Sequence, residues 1–467
     1  MRATSAGFLG ALLLLGAVRG ARADDPKQGD AERARLLAEA KEKDEKDRAD
    51  FEARVNAAID RGVAWMKAQQ KNDGSYPGFD VAKIQASSYD AMDPGLGALV
   101  VLTLAHCGVT ADDDSVKRGL LAVQSQYSLV KKNNSVMVYV AATILLALDA
   151  VYHRMVGGAE EEVKKDRYGA FVVPKKPPHC EIPAAVRSWM EELAKFLIAT
   201  QLQPSGGWRY PGNPIGSEDG PSDLSNHQYA LLALDAASRC GIPVPPETWI
   251  RATEYVLREQ EEEGVETPVY VENDAWEPGD DKTPRFLEVA KVQARGWSYL
   301  PGKGTLCTGA MTCAGLTSLA VCEERLWVAK KLDPALKKRM GVSMLDGLAW
   351  LSDNFAVDQN PTPGGASQWH FYYLYGLERT GAKCGVKWLG QNDWYRLGAE
   401  YLLSVQSKDG GWPTAAETQQ AADTSENRLT QSCFALLFLK RATRKPVIPV
   451  TPPILTNPGN GPPADGR

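Results

Sequence analysis

QLQPSGGW, residues 201–208, returns in altered form as QSKDGGW at 406–412, as QQKNDGSY at 69–76 and as the fragment ARGWSY at 294–299. Each copy stands where a charged, amphipathic segment ends and a more apolar one begins, so its residues have joint work to do. The glutamine can bond carbonyls orphaned at a helix end. The glycines allow positive φ, and the Trp or Tyr can pack across the joint to the next repeat.

Working outward from these joints, the apolar period is helical through residues 51–442 and the segments come in pairs. The charged members are 51–70, 112–129, 182–201, 246–263, 334–355 and 392–406; the apolar, Ala- and Leu-rich members begin near Asp93, Asn134, Asp223, Thr305, Gln368 and Asp423. An open stack of these hairpins would leave apolar helix faces in water. Closing the stack into a ring puts the apolar helices inside and the charged ones outside. The predicted fold is therefore all-α, a ring of six helical hairpins. Cys107, Cys240 and Cys384 each precede a glycine at the end of an apolar segment, which predicts a small buried residue before a left-handed glycine cap.

The flanks differ from this body. Residues 1–23 join Arg2 to an apolar run and end in Ala21-Arg22-Ala23, a signal-peptide pattern that predicts an exported chain beginning at Asp24. Loss of Arg2, Arg19 and Arg22 with that leader makes a chain of net charge −5 still more acidic, which argues against nucleic acid as a partner. Residues 24–50 are nearly all charged or Ala, and 443–467 form a Pro-rich tail expected to be extended and unpacked. No later segment is long and apolar enough to span a membrane. An acidic insert at 264–303 precedes the Cys307 helix, and its length suggests a cover for one mouth of a cavity.

The recurring Gln, Gly and Trp joints resemble those of the squalene/terpene cyclase and protein prenyltransferase repeat proteins, over most of residues 60–442. The resemblance implies an (α/α)6 toroid whose inner-helix starts surround a central cavity. It also implies where chemistry belongs. An offset of 143 residues lays YYLYGLE from Tyr372 over YALLALD from Tyr229, which puts His370 on His227, and these two histidines are the catalytic candidates beside the alternative that both are structural. Prenyltransferases hold zinc with an Asp-x-Cys and a His; Cys307 and His370 are similar in placement, but Thr305 stands where the carboxylate belongs, leaving His227 to supply a third ligand. Neither the Asp-rich acid motif of the cyclases nor a diphosphate-binding Asp-Asp-x-x-Asp is present.

Other candidates stand at inner-helix starts. Asp93, Asp223 and Asp423 can each be a helix N-cap, and Asp93 and Asp423 are also candidate ligand contacts, with Asn226, Trp369 and Tyr373. Arg428, a cation in a first turn, calls for an anionic partner such as Glu426, Asp423 or a ligand. Three functions compete on these residues: a toroid that binds an isoprenoid-like or other lipid-like ligand, a carbohydrate-active enzyme acting on a saccharide through Asn226, His227, Tyr373, Asp423 and Arg428, and a noncatalytic binding or scaffold protein. The absence of a Cys-Gly-Glu-Gln sequence argues against a thioester toroid.

Overall fold

The structure, a computed structural model, describes residues 26–78, 92–132, 136–153, 182–210, 222–279, 282–300, 302, 305–413 and 428–443. In chain order it contains α1 (Pro26–Ala68), α2 (Asp93–His106), α3 (Asp114–Lys132), α4 (Val138–Tyr152), α5 (Ala184–Ala199), α6 (Leu224–Arg239) and α7 (Pro246–Arg258). An antiparallel ribbon follows, β1 (Val265–Glu272) and β2 (Phe286–Ala294), then α8 (Gly309–Val328) and α9 (Pro334–Asp353). Two short hairpins, β3–β4 (Asn360–Thr362, Gly365–Ser367) and β5–β6 (Trp388–Leu389, Asn392–Asp393), flank α10 (His370–Lys383). The last helices are α11 (Trp394–Val405) and α12 (Arg428–Lys440).

The even-numbered helices close on themselves. α2 packs on α4, α4 on α6, α6 on α8, α8 on α10, α10 on α12, and α12 returns to α2. The odd-numbered helices lie around them: α3 on α2, α5 on α4 and α6, α7 and α9 on α8, α11 on α10 and α12. Composition explains the division. Every residue of α8 from Gly309 to Leu326 is buried, as is nearly all of α4, whereas α3 and α11 bury one stripe each and expose the rest. The expected (α/α)6 ring is the observed one.

Four joints use one device. Gln70 Nε2 donates to Gly74 O (3.0 Å) and to Ser115 O of α3 (2.9 Å); Gln201 does the same to Gly206 O (3.0 Å) and Thr248 O of α7 (3.1 Å). Gln406 donates to Gly410 O and to Ala58 O of α1, both at 2.9 Å, so the last turn is bound to the first outer helix. The fourth, Gln260, donates to Arg295 O (3.0 Å) and to Ser343 O of α9 (2.9 Å). The β1–β2 ribbon is thus an insertion inside a joint, which is why Gln260 and Trp297 were not legible as a pair. In each turn with positive φ the chain touches the next outer helix: a Cβ on Gly206 (φ +87°) would lie 2.4 Å from Arg251 O. Trp208, Trp297 and Trp412 are fully buried beneath these joints and donate their indole N–H to Leu197, Val256 and Leu402 carbonyls.

The far halves of the inner helices are ionic. Arg239 bonds Asp149 (2.8 Å) and Asp235; Arg325 pairs with Asp235 (2.9 Å) and Glu324 (2.9 Å); Lys383 lies 3.5 Å from Asp235 and 3.7 Å from Glu324. Burial alone would raise the Asp235 carboxyl, but Arg239, Lys383 and Arg325 together hold it well below the usual range. Cys107, Cys240 and Cys384 end α2, α6 and α10 before Gly108, Gly241 and Gly385 at φ +93°, +73° and +66°, as expected; Cys240 and Cys384 are buried as predicted, whereas Cys107 is half-buried.

The chain divides into two compact units. The ring occupies residues 53–272 and 286 onward; the charged lead-in and the ribbon tip at 273–285 form the smaller unit, in which Lys41 pairs with Glu277 at 3.3 Å. The lead-in is helical from Pro26. No helix among the described residues is long and apolar enough to cross a membrane.

Candidate functional site: a central aromatic cavity

The first turns of all six inner helices surround a cavity of about 400 Å³. α2 contributes Met92, Gly95, Leu96 and Leu99; α4 contributes Tyr139 and Thr143; α6 contributes Ser225 and Tyr229. Across from them stand Ala310 and Met311 of α8, Tyr372 of α10, and Thr430 and Phe434 of α12. Tyr210, Tyr299 and Trp369, with the polar Thr308, Asn360, Ser367 and Gln368, make up the rest of the described wall. None of the described lining residues carries a charge.

Hydrogen bonds order the polar side of this wall. Ser225 Oγ meets both Tyr139 OH and Tyr372 OH, the latter at 2.7 Å, so one hydroxyl ties α4 to α10 through α6. Gln228 Nε2 donates to Tyr372 OH, and Arg379 Nη2 donates to Gln228 Oε1 at 3.1 Å. The Arg379 guanidinium, almost wholly buried, lies 4.1 Å from the Tyr375 ring centre and 5.7 Å from those of Tyr229 and Tyr372. Tyr229 and Tyr372 are near-parallel, with centres 6.3 Å apart. A buried cation behind the rings satisfies their electron-rich faces and fixes their orientation.

Behind the wall sits Asp223. It caps α6 as predicted, accepting from Asn226 N and Nδ2 at 2.8 Å each. Burial pushes its carboxyl up to about 6, against the pull of the Asn226 donors and a hydrogen bond from Tyr299. It is the titratable carboxyl in contact with the cavity's tyrosines.

The histidine alignment is right in position and wrong in direction. Tyr229 and Tyr372 are equivalent and both face the cavity, so His227 and His370, two residues earlier, point about 200° away. His227 is fully buried between Trp208 and Tyr255, with ring centres 5.3 and 4.6 Å away, and neither ring nitrogen has a hydrogen-bond partner. His370 faces Tyr401 of α11, and its Nε2 lies 2.9 Å from Val357 O. Burial depresses the two rings to about 3 and about 4, so both are neutral, and neither is among the cavity's described lining residues.

The zinc set implied by the prenyltransferase resemblance does not fit. His227, Cys307 and His370 do not converge among the described residues. Burial, with Glu261 beside it, pushes the Cys307 thiol up, so in the metal-free chain it keeps its proton.

The remaining candidates divide similarly. Trp369 lines the cavity; it is 41% exposed and adopts the left-handed conformation (φ +68°) as the residue before α10, a strained backbone at the cavity rim. Tyr373 turns away and donates to Ala356 O at 3.0 Å. Asn226 is sealed against Asp223. Asp93 is the first residue of α2 and not its cap, a position held by Met92 without a side-chain bond, which puts Pro94 at the second helical position. Arg428 pairs with Asp409 of the adjacent QSKDGGW turn, in a two-point pair with one arm at 2.7 Å, while Glu426, one of the anions expected for it, lies outside the described residues. Asp423 itself lies outside the described residues. Within the ring the insert's strands β1 and β2 lie against α9 and the Trp388 hairpin, where Trp388 donates to Glu272 at 2.8 Å, and among its described residues Tyr299 lines the cavity. Sequence reading missed Tyr210, Ser225, Gln228, Tyr299 and Arg379; the tyrosine register at 229 and 372 was the signal that leads to them.

No family profile matches the chain, and no curated protein does. Among solved structures it is similar to the type II terpene cyclase MstE from Scytonema: a variant bound to its substrate geranylgeranyl dihydroxybenzoate, a variant bound to its product merosterolic acid A, and the apo enzyme. Identity is 13% in each case, coverage is 84% of this chain and 98–99% of the cyclase chains, and the TM-score is 0.42–0.43.

Proposed function

We propose that the ring is an exported binding protein whose central cavity takes an uncharged, isoprenoid-like molecule. The observation that carries this reading is the lining: aromatic rings, Leu and Met from the inner helices, hydroxyls, the two amides of Asn360 and Gln368, and no charge among its described residues. A volume of about 400 Å³ suits one small apolar ligand. The hydroxyls of Ser225, Tyr139 and Tyr372 would orient a single polar end, while a diphosphate or an acidic saccharide would meet no cation among the described lining residues. The saccharide reading loses its constellation, because Asn226, His227, Tyr373 and Arg428 are engaged elsewhere.

The test uses tryptophan fluorescence, with Trp369 at the rim as reporter. Geranylgeraniol should bind saturably, its diphosphate more weakly, and a neutral oligosaccharide not at all. Saturable oligosaccharide binding without prenyl-alcohol binding would overturn the proposal. Export has its own test: mass spectrometry of the protein recovered from outside the cytoplasm should find Asp24 as the first residue, and an intact Met1 would contradict it.

A further inference from the structure

The end of the ring away from the cavity carries a second cluster. Asp149 and His153 stand one turn apart at the end of α4, and Cys240 ends the neighbouring α6. Asp149 Oδ1 and His153 Nδ1 are 3.2 Å apart, Cys240 Sγ and Asp149 Oδ1 3.3 Å, and Cys240 Sγ and His153 Nδ1 3.7 Å. All three residues are buried.

Two chemistries use a cysteine, a histidine and an aspartate. In a nucleophilic relay the imidazole uses its two nitrogens on opposite sides, one toward the thiol and one toward the carboxylate. Here a single nitrogen, Nδ1, faces both partners, so no relay runs through the ring. Three donor atoms instead converge on one point. With the bond lengths usual for zinc, about 2.0 Å to oxygen or nitrogen and about 2.3 Å to sulfur, three corners of a tetrahedron lie about 3.3–3.6 Å apart. The observed edges, 3.2, 3.3 and 3.7 Å, lie close to that triangle.

The surroundings fit as well. Arg239 Nη2 donates to the other oxygen of Asp149, Oδ2, at 2.8 Å, which turns Oδ1 toward the histidine and cysteine. An oxygen, a nitrogen and a sulfur form a borderline-soft set suited to a divalent zinc-like ion rather than to magnesium or calcium. We propose that Asp149, His153 and Cys240 form a structural site for Zn²⁺, distinct from the cavity, that clamps the end of α4 to the end of α6. Binding replaces the thiol proton by the metal: Cys240 releases one H⁺, the Sγ lone pair forms the bond, Nδ1 of neutral His153 and Oδ1 of Asp149 supply two more, and water takes the fourth corner.

The test uses the full mature chain, stripped with a chelator and titrated with Zn²⁺ or Co²⁺ alone. One metal per chain should bind, Co²⁺ should give a thiolate charge-transfer band with tetrahedral visible bands, and the melting temperature should rise with metal concentration. Cys240→Ala should abolish the thiolate band and His153→Gln should weaken metal binding at least tenfold, whereas Cys433→Ala, a buried thiol on α12, should change neither. A folded wild-type chain that binds no metal would overturn the site, as would a charge-transfer band that survives Cys240→Ala. Should Cys240→Ala fail to fold, the wild-type Co²⁺ spectrum decides alone, since a cobalt site without a thiolate band contradicts the assignment.

Discussion

A two-residue step on a helix separates His227 from Tyr229, and it decides which of them meets a ligand. The sequence register equated the two repeats correctly; what it lacked was the direction in which the helix turns its cavity face, which only packing against Trp208 and Tyr255 supplies. Buried neutral, His227 has a linkage to pH whose sign is fixed. Its folded value is about 3 and an unfolded histidine titrates near 6.5, so between these the unfolded chain holds one proton more. Stability from this group therefore falls as pH drops below about 6.5, by about 1.4 kcal/mol per pH unit. His227→Phe should remove that dependence: urea denaturation at pH 7 and pH 5 should show the variant gaining about 2 kcal/mol on wild type as the pH falls. An unchanged difference would mean that the ring is not sealed.

At the scale of elements, the joints carry the fold. Gln201 serves two carbonyls that its own helix and turn cannot satisfy, so Gln201→Leu orphans both and should cost about 1–3 kcal/mol for each, read as a lower urea midpoint. Gly206→Ala should also destabilise, because its Cβ would collide with backbone and because its φ of +87° strains any side chain. Wild-type stability in either variant would remove the joint from the account. These joints were legible where the Gln and Trp lie six or seven residues apart and illegible at Gln260, where the ribbon separates the two. The cavity was legible only in outline. Tyr299 comes from the insert and Tyr210 from beyond a turn, so neither belongs to a repeat register that could have announced it.

For the whole molecule, closure makes the last joint equal to the others. Gln406 and Arg61 join the final turn to α1, with Arg61 donating to Gln406 Oε1 at 2.6 Å. Gln406→Leu should therefore cost as much as Gln201→Leu, although one of its acceptors, Ala58 O, is 348 residues away in sequence; a negligible cost would mean that the ring does not need its seam. The ionic half of the barrel is held differently. Lys383→Met leaves Asp235 and Glu324 short of a cation in a dry interior and should cost about 3–5 kcal/mol, measured by denaturation. Charge at one end and, at the other, a chamber whose described lining is aromatic-rich and uncharged divide the ring into a part that fixes the helices and a part that can receive an apolar guest. The measurement that tests this most directly is a crystal structure of the protein with geranylgeraniol, beside the same experiment on Leu99→Trp, which fills the chamber from α2. Ligand density between Tyr229, Tyr372 and Phe434 in the wild type and none in the variant is the predicted result; an empty chamber in a crystal that binds the alcohol elsewhere would contradict it.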